Sequence, residues 1–198
     1  MMTSIDSAIC TKLRIKRNDN LPFTGWAGTR EEIAQLWGEL GYKKGAIIGV
    51  WEGAFAEVIC RNNPDVELLC IDPYAPFGGH TPTKMDRLQT QATERLALYN
   101  ATFIQKDSLE AVVDVPDRSL DFVYINGKHE FNPAIMDIIH WAPKVRVDGI
   151  VSGHGFFHHY QGGVVYAVEA YTRGNNIVPW YLAHRDRDRQ HSWLWVSR

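Results

Sequence analysis

Apolar residues recur along this chain in short runs: AIIGV (46–50), VELLCI (66–71), TFI (102–104), DFVYI (121–125) and GIVSG (149–153). Each has the length of a strand. Between them, the helical spacing of apolar positions predicts helices over Ala54–Arg61, Thr83–Tyr99, a short Ser108–Val112, and Pro133–Trp141. An earlier helix is predicted over Thr29–Leu40, where Ile33, Leu36, Trp37 and Leu40 share a face and Gly41 follows as a C-cap. Short strands alternating with helices imply βαβ units and a mostly parallel sheet covered on both faces. The rhythm breaks at the end. After a helix over Val164–Tyr171, IVPWYLAH (177–184) and HSWLWVSR are separated only by the charged run RDRDRQ, read as a solvated hairpin tip. A parallel connection needs a dozen residues or more, so this pair is predicted to be antiparallel.

Composition narrows the options. The 198 residues are read as one globular domain (29–198) preceded by an arm or lid (1–28). Within the arm, Pro22, Phe23 and Trp26 could cover a ligand or strap the core. A net charge of −2 carries no nucleic-acid footprint, and the basic stretch Lys12 to Arg17 reads as a solvated arm. No run of eighteen apolar residues occurs, which excludes a spanning helix, and the N-terminus has no signal-peptide pattern. Cys10, Cys60 and Cys70 form no pair motif and are read as thiols of a reducing compartment. A cytoplasmic protein is expected, with a small-molecule acceptor as partner, neither nucleic acid nor membrane, and self-association left open. Trp37, Trp141, Trp180, Trp193 and Trp195 read as core or interface residues.

The candidate chemistry lies in AIIGVWEGAFAEVI (46–59). Gly49 and Gly53 fall where the first strand of the alternating region turns into a helix. In a doubly wound sheet, ligands sit there, beyond the carboxyl ends of the strands. Asp72 ends the next strand and is placed to accept both hydroxyls of a ribose. A bare strand-to-helix corner also explains the glycine pair. The dinucleotide fingerprint G-x-G-x-x-G is absent, and no G-K-[ST] follows. Glu52 would repel a pyrophosphate. A nucleoside cofactor with a positive centre and no phosphates, such as S-adenosylmethionine, fits better. Trp51 could wall its sulfonium by cation–π attraction.

Four segments resemble the class I S-adenosylmethionine-dependent methyltransferases, especially their small O-methyltransferase-like branch: GVWEGAFAE (49–57), LLCIDPY (68–74), QKDSLEAV (105–112) and 119–156. The resemblance implies a Rossmann-like, doubly wound sheet of seven strands, mostly parallel and ending in an antiparallel hairpin. It also implies ribose binding by Asp72 and adenine contacts from Pro73, Tyr74, Asp107 and Ser108. Asp107 and Ser108 equally suit an N-cap. With Gly49, Trp51, Glu52, Gly53 and Asn126, these complete the candidate cofactor residues.

Three positions depart from the family pattern. Ile47 stands where an acid usually meets the cofactor's amino group, for which Glu52 is a substitute. Asn126-Gly127 replaces an Asp-Gly-type motif, and Gly153-His154-Gly155 replaces Gly-His-Asp. Hard cations want carboxylate oxygens, so no metal site and no essential magnesium are expected. His129, His154, His158 and His159 fall on strand-end loops; a transition-metal site is the lesser reading for them. His154, then His129, are the candidate bases, with Glu130 third and helix capping an alternative for His129. The expected function is methyl transfer to a small-molecule acceptor, at oxygen. The alternative is a non-catalytic S-adenosylmethionine- or nucleoside-binding module that has lost catalytic acids. A nicotinamide-dependent oxidoreductase is disfavoured by Glu52 and the missing third glycine.

Overall fold

The computed structural model describes residues 2–15, 20–25, 28–157, 162–184 and 191–198. In chain order the elements are α1 (Ser4–Lys12), β1 (Phe23–Gly25), α2 (Arg30–Glu39), β2 (Lys44–Ile48), α3 (Ala54–Asn62), β3 (Glu67–Ile71), α4 (Pro82–Leu96), β4 (Ala101–Ile104), α5 (Ser108–Ala111), β5 (Leu120–Ile125), α6 (Phe131–Trp141), β6 (Val145–Phe156), α7 (Gly163–Gly174), β7 (Tyr181–Ala183) and β8 (His191–Val196). The described strands form one sheet in the order β1-β7-β8-β6-β5-β2-β3-β4. Strands β2 to β6 pair in parallel, and β8 runs antiparallel to both β6 and β7. The mostly parallel sheet and its terminal antiparallel hairpin are as the sequence predicts.

The strand number is not. Eight strands are present instead of seven, because Phe23–Gly25 of the leader adds an edge strand parallel to β7. Its recruitment is tertiary. Phe23 N–H donates to the Trp180 carbonyl, and the Phe23 ring meets Tyr181 edge-on at 6.0 Å. The leader's helix is equally committed: Thr3 and Asp6 form a capping box, and Ile9 and Leu13 are fully buried. Asp6, also fully buried, accepts from the Tyr181 hydroxyl at 2.9 Å and from the Arg198 guanidinium at 3.0 Å. The stretch read as a solvated arm therefore puts Leu13 and Ile15 into the core and pairs Lys12 with Glu39. None of the described residues before Arg30 lines the cleft discussed below. Trp26, the RDRDRQ run, His158 and His159 lie outside the described residues.

Both faces of the sheet are buried, as parallel strands demand. Strand alternation divides the core in two. Ile47, Leu68, Cys70, Phe122 and Tyr124 face the layer of α1–α4, whereas Ala46, Ile48, Ile71, Val123 and Ile125 face α6 and α7. Trp37 stacks on Phe122 with ring centroids 4.0 Å apart. A Cβ on Gly45 would lie 2.1 Å from that phenyl ring, so the glycine admits it. The five tryptophans assigned to core or interface are all buried, and burial pushes the Cys60 thiol up to about 11. No helix among the described residues is long and apolar enough to cross a membrane.

The connectivity positions the site. From β2 the chain moves outward to β3 and β4, then returns to the other side of β2 as β5. The crevice between β2 and β5 is the topological switch point.

Candidate active site

A cleft of about 1140 Å³ opens at the carboxyl ends of the central strands. That exceeds the roughly 300–1,000 Å³ typical of small-molecule pockets and leaves room for two ligands. Its walls come from the ends of β2 and β3, the turns after β2, β3, β4 and β5, His154 near the end of β6, and the first two turns of α6.

The turn after β2 needs its glycines for different reasons. Gly49 has φ +84°, and a Cβ there would lie 2.2 Å from the Asn126 carbonyl oxygen. It lets β2 and β5 close against each other at the switch point and lines the cleft. Gly53 also has positive φ, but it caps α3 and meets Ala92 of α4, away from the cleft. It serves helix packing.

Asp72, at the end of β3, is mostly buried and lines the cleft. Its Oδ2 accepts from Val50 N–H at 2.9 Å and Trp51 N–H at 3.0 Å, and its Oδ1 accepts from Tyr74 N–H at 2.9 Å. An ionised carboxylate offers about four acceptor positions, so three are already filled from within. The expectation of two free oxygens for a ribose diol is thus corrected to one remaining position, on Oδ1. The same bonds consume the turn's amides, the groups a pyrophosphate would need.

Of the two places open to Tyr74, the cofactor face and the core, the structure has the core. With φ +48° the chain turns its ring inward, where it is buried in the core and its hydroxyl donates to the Trp51 carbonyl. Burial pushes its phenol above the usual range. Glu52 also fails to reach the cleft: its carbonyl accepts from Arg95, and its buried Oε2 has no hydrogen-bond partner. Ile47 is a core residue. Neither position places an acid in the cleft. Trp51 and Pro73 do line it. The Lys84 ammonium sits 5.1 Å from the centroid of the Trp51 ring, so one cation–π partner is already supplied by the protein.

Beyond β4, Asp107 is exposed and caps α5 by accepting from Leu109 N–H at 3.0 Å. Ser108 instead donates its hydroxyl to Asp137 on α6. Both Asp107 and Ser108 line the cleft. Asp137 was not anticipated, although a signal existed. The buried stripe of α6 is Ala134, Asp137, Ile138 and Trp141, with an acid at a core-facing position. Burial pushes its carboxyl up to about 6. Arg30, the first residue of α2, is a second unanticipated lining residue; its guanidinium lies 5.2 Å over the Phe55 ring. A helix leading into β2 must begin at the carboxyl edge, which is why its first side chain reaches the site.

His129 and His154 both line the cleft, with ring centroids 6.4 Å apart, and Asn126 follows directly on the end of β5. His129 does not cap α6, whose N-cap is Glu130. Its ring lies over Gly155: a Cβ at that position, where φ is +80°, would be 2.9–3.1 Å from three ring atoms. Burial holds the His129 imidazole below its usual range, and the nearby Glu130 carboxylate opposes that only in part. Glu130 itself is exposed and does not line the cleft. Among the described residues, no three His, Cys, Asp or Glu side chains converge as a metal site.

A sequence model for the methyltransferase domain matches residues 47–156, more than half of the chain. Comparison with curated protein sequences finds no match. Among solved structures, the chain is similar to a protein from Staphylococcus aureus described as a caffeoyl-CoA O-methyltransferase. The identity is 17% over 98% of this chain and 93% of that one, with a TM-score of 0.60. It is similar to cofactor-bound Rv0187 from MTB at 12% identity over 97% and 88%, with a TM-score of 0.66. It is also similar to the N-methyltransferase NodS of Bradyrhizobium japonicum, at 13% identity over 85% and 94%, with a TM-score of 0.58. At these identities the likenesses speak for the fold. The matched segment runs from the glycine turn through the end of β6 and so includes most of the cleft's walls. The chain belongs to the methyltransferase-domain family, in its class I, S-adenosylmethionine-dependent form.

Proposed function

We propose that this protein transfers a methyl group from S-adenosylmethionine to a hydroxyl of a small-molecule acceptor, with a histidine and not an essential magnesium ion assisting loss of the hydroxyl proton. The observation that carries the cofactor reading is the Asp72 clamp. It satisfies the glycine turn's amides internally and leaves carboxylates, from Asp72, Asp107 and Asp137, along the wall. That set of acceptors suits a ligand with hydroxyls, an amine and a positive centre, and opposes one carrying a pyrophosphate. Asp72 would hold one ribose hydroxyl, Pro73 and Trp51 would cover the nucleoside, and Arg30 would pair with the cofactor's carboxylate. When bound, the cofactor supplies an electrophilic methyl group.

The remaining work falls to the chain's own residues. The switch-point cleft holds the acceptor beside the cofactor, and positioning the reacting atoms supplies most of the rate. His129 is the preferred candidate for the base. It is neutral at pH 7 because burial depresses its pKa, and Gly155 leaves space that keeps its ring in the cleft. In metal-using relatives of the resemblance an acid stands at that glycine. His154 supports the same region from β6.

Two experiments test this reading. In thermal-shift measurements, S-adenosylmethionine and S-adenosylhomocysteine should each raise Tm, by the equivalent of about 2.7 kcal/mol at a hundred times Kd. NAD should not. A shift with NAD alone would refute the cofactor assignment. Screening hydroxyl-bearing small molecules for release of S-adenosylhomocysteine identifies the acceptor. On it, His129→Ala should lower kcat about a hundredfold or more while the Kd of S-adenosylhomocysteine stays put. Wild-type kcat should fall only as pH drops below about 6.5, because protonation removes the base and the folded-state pKa is depressed. An unchanged kcat in the variant would transfer the role to His154. Binding with no turnover on any acceptor would favour the non-catalytic module.

A further inference from the structure

Asp137 is a buried acid of the cleft whose partner in a ligand is not assigned above. It is 5% exposed and sits on α6 opposite the turn after β4, in the part of the cleft lined by Ser108, Leu109 and Met136. The Ser108 hydroxyl donates to Oδ1 and fixes the carboxyl plane. Oδ2 packs against Gly127, where a Cβ would lie 2.9 Å away, and accepts no hydrogen bond among the described residues. Among the described residues no ion pair holds this acid, so burying it serves the fold poorly. An oriented carboxyl oxygen left over in a ligand cleft asks for a ligand donor.

We propose that Asp137 reads the base of the nucleoside cofactor, its Oδ2 accepting a hydrogen bond from the exocyclic amine while Ser108 sets its orientation. This rests on the cofactor assignment made above and deepens it. It differs from the sequence expectation, which gave the amine to Asp107. That residue is exposed, and one of its carboxylate oxygens is engaged at the start of α5. A 6-amino purine presents a donor to Asp137, whereas a 6-oxo purine presents an acceptor and leaves two oxygens facing each other. Sites built around a buried polar group reject such mismatches strongly.

The test is calorimetric binding of S-adenosylhomocysteine and of its 6-oxo analogue, S-inosylhomocysteine, to the full chain and two variants. Wild-type protein should prefer the amino form by about a hundredfold. In Asp137→Asn, the Ser108 hydroxyl still donates to the amide oxygen, so the amide NH₂ faces the cleft and matches the 6-oxo group. The preference should then fall at least tenfold or reverse. In Ser108→Ala the shape of Asp137 is untouched but its orientation is released, and the preference should fall about fivefold. Undiminished preference in both variants overturns the proposal, as does a loss seen in Asp107→Asn and not in Asp137→Asn. Wild-type protein that binds neither ligand overturns the cofactor assignment and this proposal with it. Binding of S-adenosylhomocysteine with an unmoved ratio overturns the proposal alone.

Discussion

Gly49→Ala should lose about 2–5 kcal/mol of stability and most cofactor affinity. A left-handed conformation strains any residue with a Cβ by roughly 1–2 kcal/mol. Here the added carbon would also lie 2.2 Å from the Asn126 oxygen, 2.7 Å from its carbonyl carbon and 3.0 Å from Gly127 N. All three are backbone atoms and cannot swing aside. Overpacking of this kind typically adds about 1–3 kcal/mol. Relief would come from parting β2 and β5 beside the Asn126 N–H to Ile48 carbonyl bond of 2.7 Å, where the cleft begins. Gly41→Ala is the internal control. Its φ is +69° but nothing lies within 4 Å of the added carbon, so only the conformational strain should appear. Urea unfolding of both variants separates the two contributions. Equal midpoints would show that close approach at the switch point is not needed.

Asp72→Ala should be of similar size by a different mechanism. The N–H groups of Val50, Trp51 and Tyr74 lose a shared charged acceptor in a largely buried place. Hydrogen bonds to charged groups contribute about 1.5–3 kcal/mol each, and sharing one carboxylate makes them less than additive, so a loss of about 3–4 kcal/mol is expected. The turn should open and S-adenosylhomocysteine affinity should fall at least a hundredfold, about 2.7 kcal/mol. Asp72→Asn keeps the shape but turns an amide NH₂ toward at least one N–H donor, so an intermediate result is expected in both measurements. Full affinity in the alanine variant would mean that the clamp shapes the turn without serving the ligand.

Much of this was legible in the sequence, and the exceptions share a cause. Strands β2 to β6 declared themselves because each is an apolar run bounded by turn residues. Helix α2 did so through its apolar stripe and the glycine that follows it, Gly41. The lone acid closing β3 and the histidines of the strand-end loops could be placed by topology alone. By contrast, β1 is three residues long, and its pairing depends on Tyr181–Ala183, far along the chain. Which way Tyr74 turns could not be read, because a positive φ at a non-glycine residue has no sequence signature. Glu52 was misplaced for a related reason: Trp51 before it has φ +55°, and one uncommon dihedral in the turn 49–53 decides which side chain faces the ligand. Asp137 was overlooked because helical periodicity was counted from apolar residues, and a buried acid drops out of that count.

The tie between α1 and β7 bears on how the protein is made. Asp6 and Tyr181 are 175 residues apart. At about 5–20 residues per second, roughly 9–35 s of synthesis separate the two partners. During that interval the apolar face of α1, with Ile9 and Leu13, has no strand to complete its seat and stays open to chaperones and to neighbouring nascent chains. Closure of the sheet edge is therefore a late event, and yield in cells should respond to translation speed and temperature more than the stability of the finished sheet would suggest.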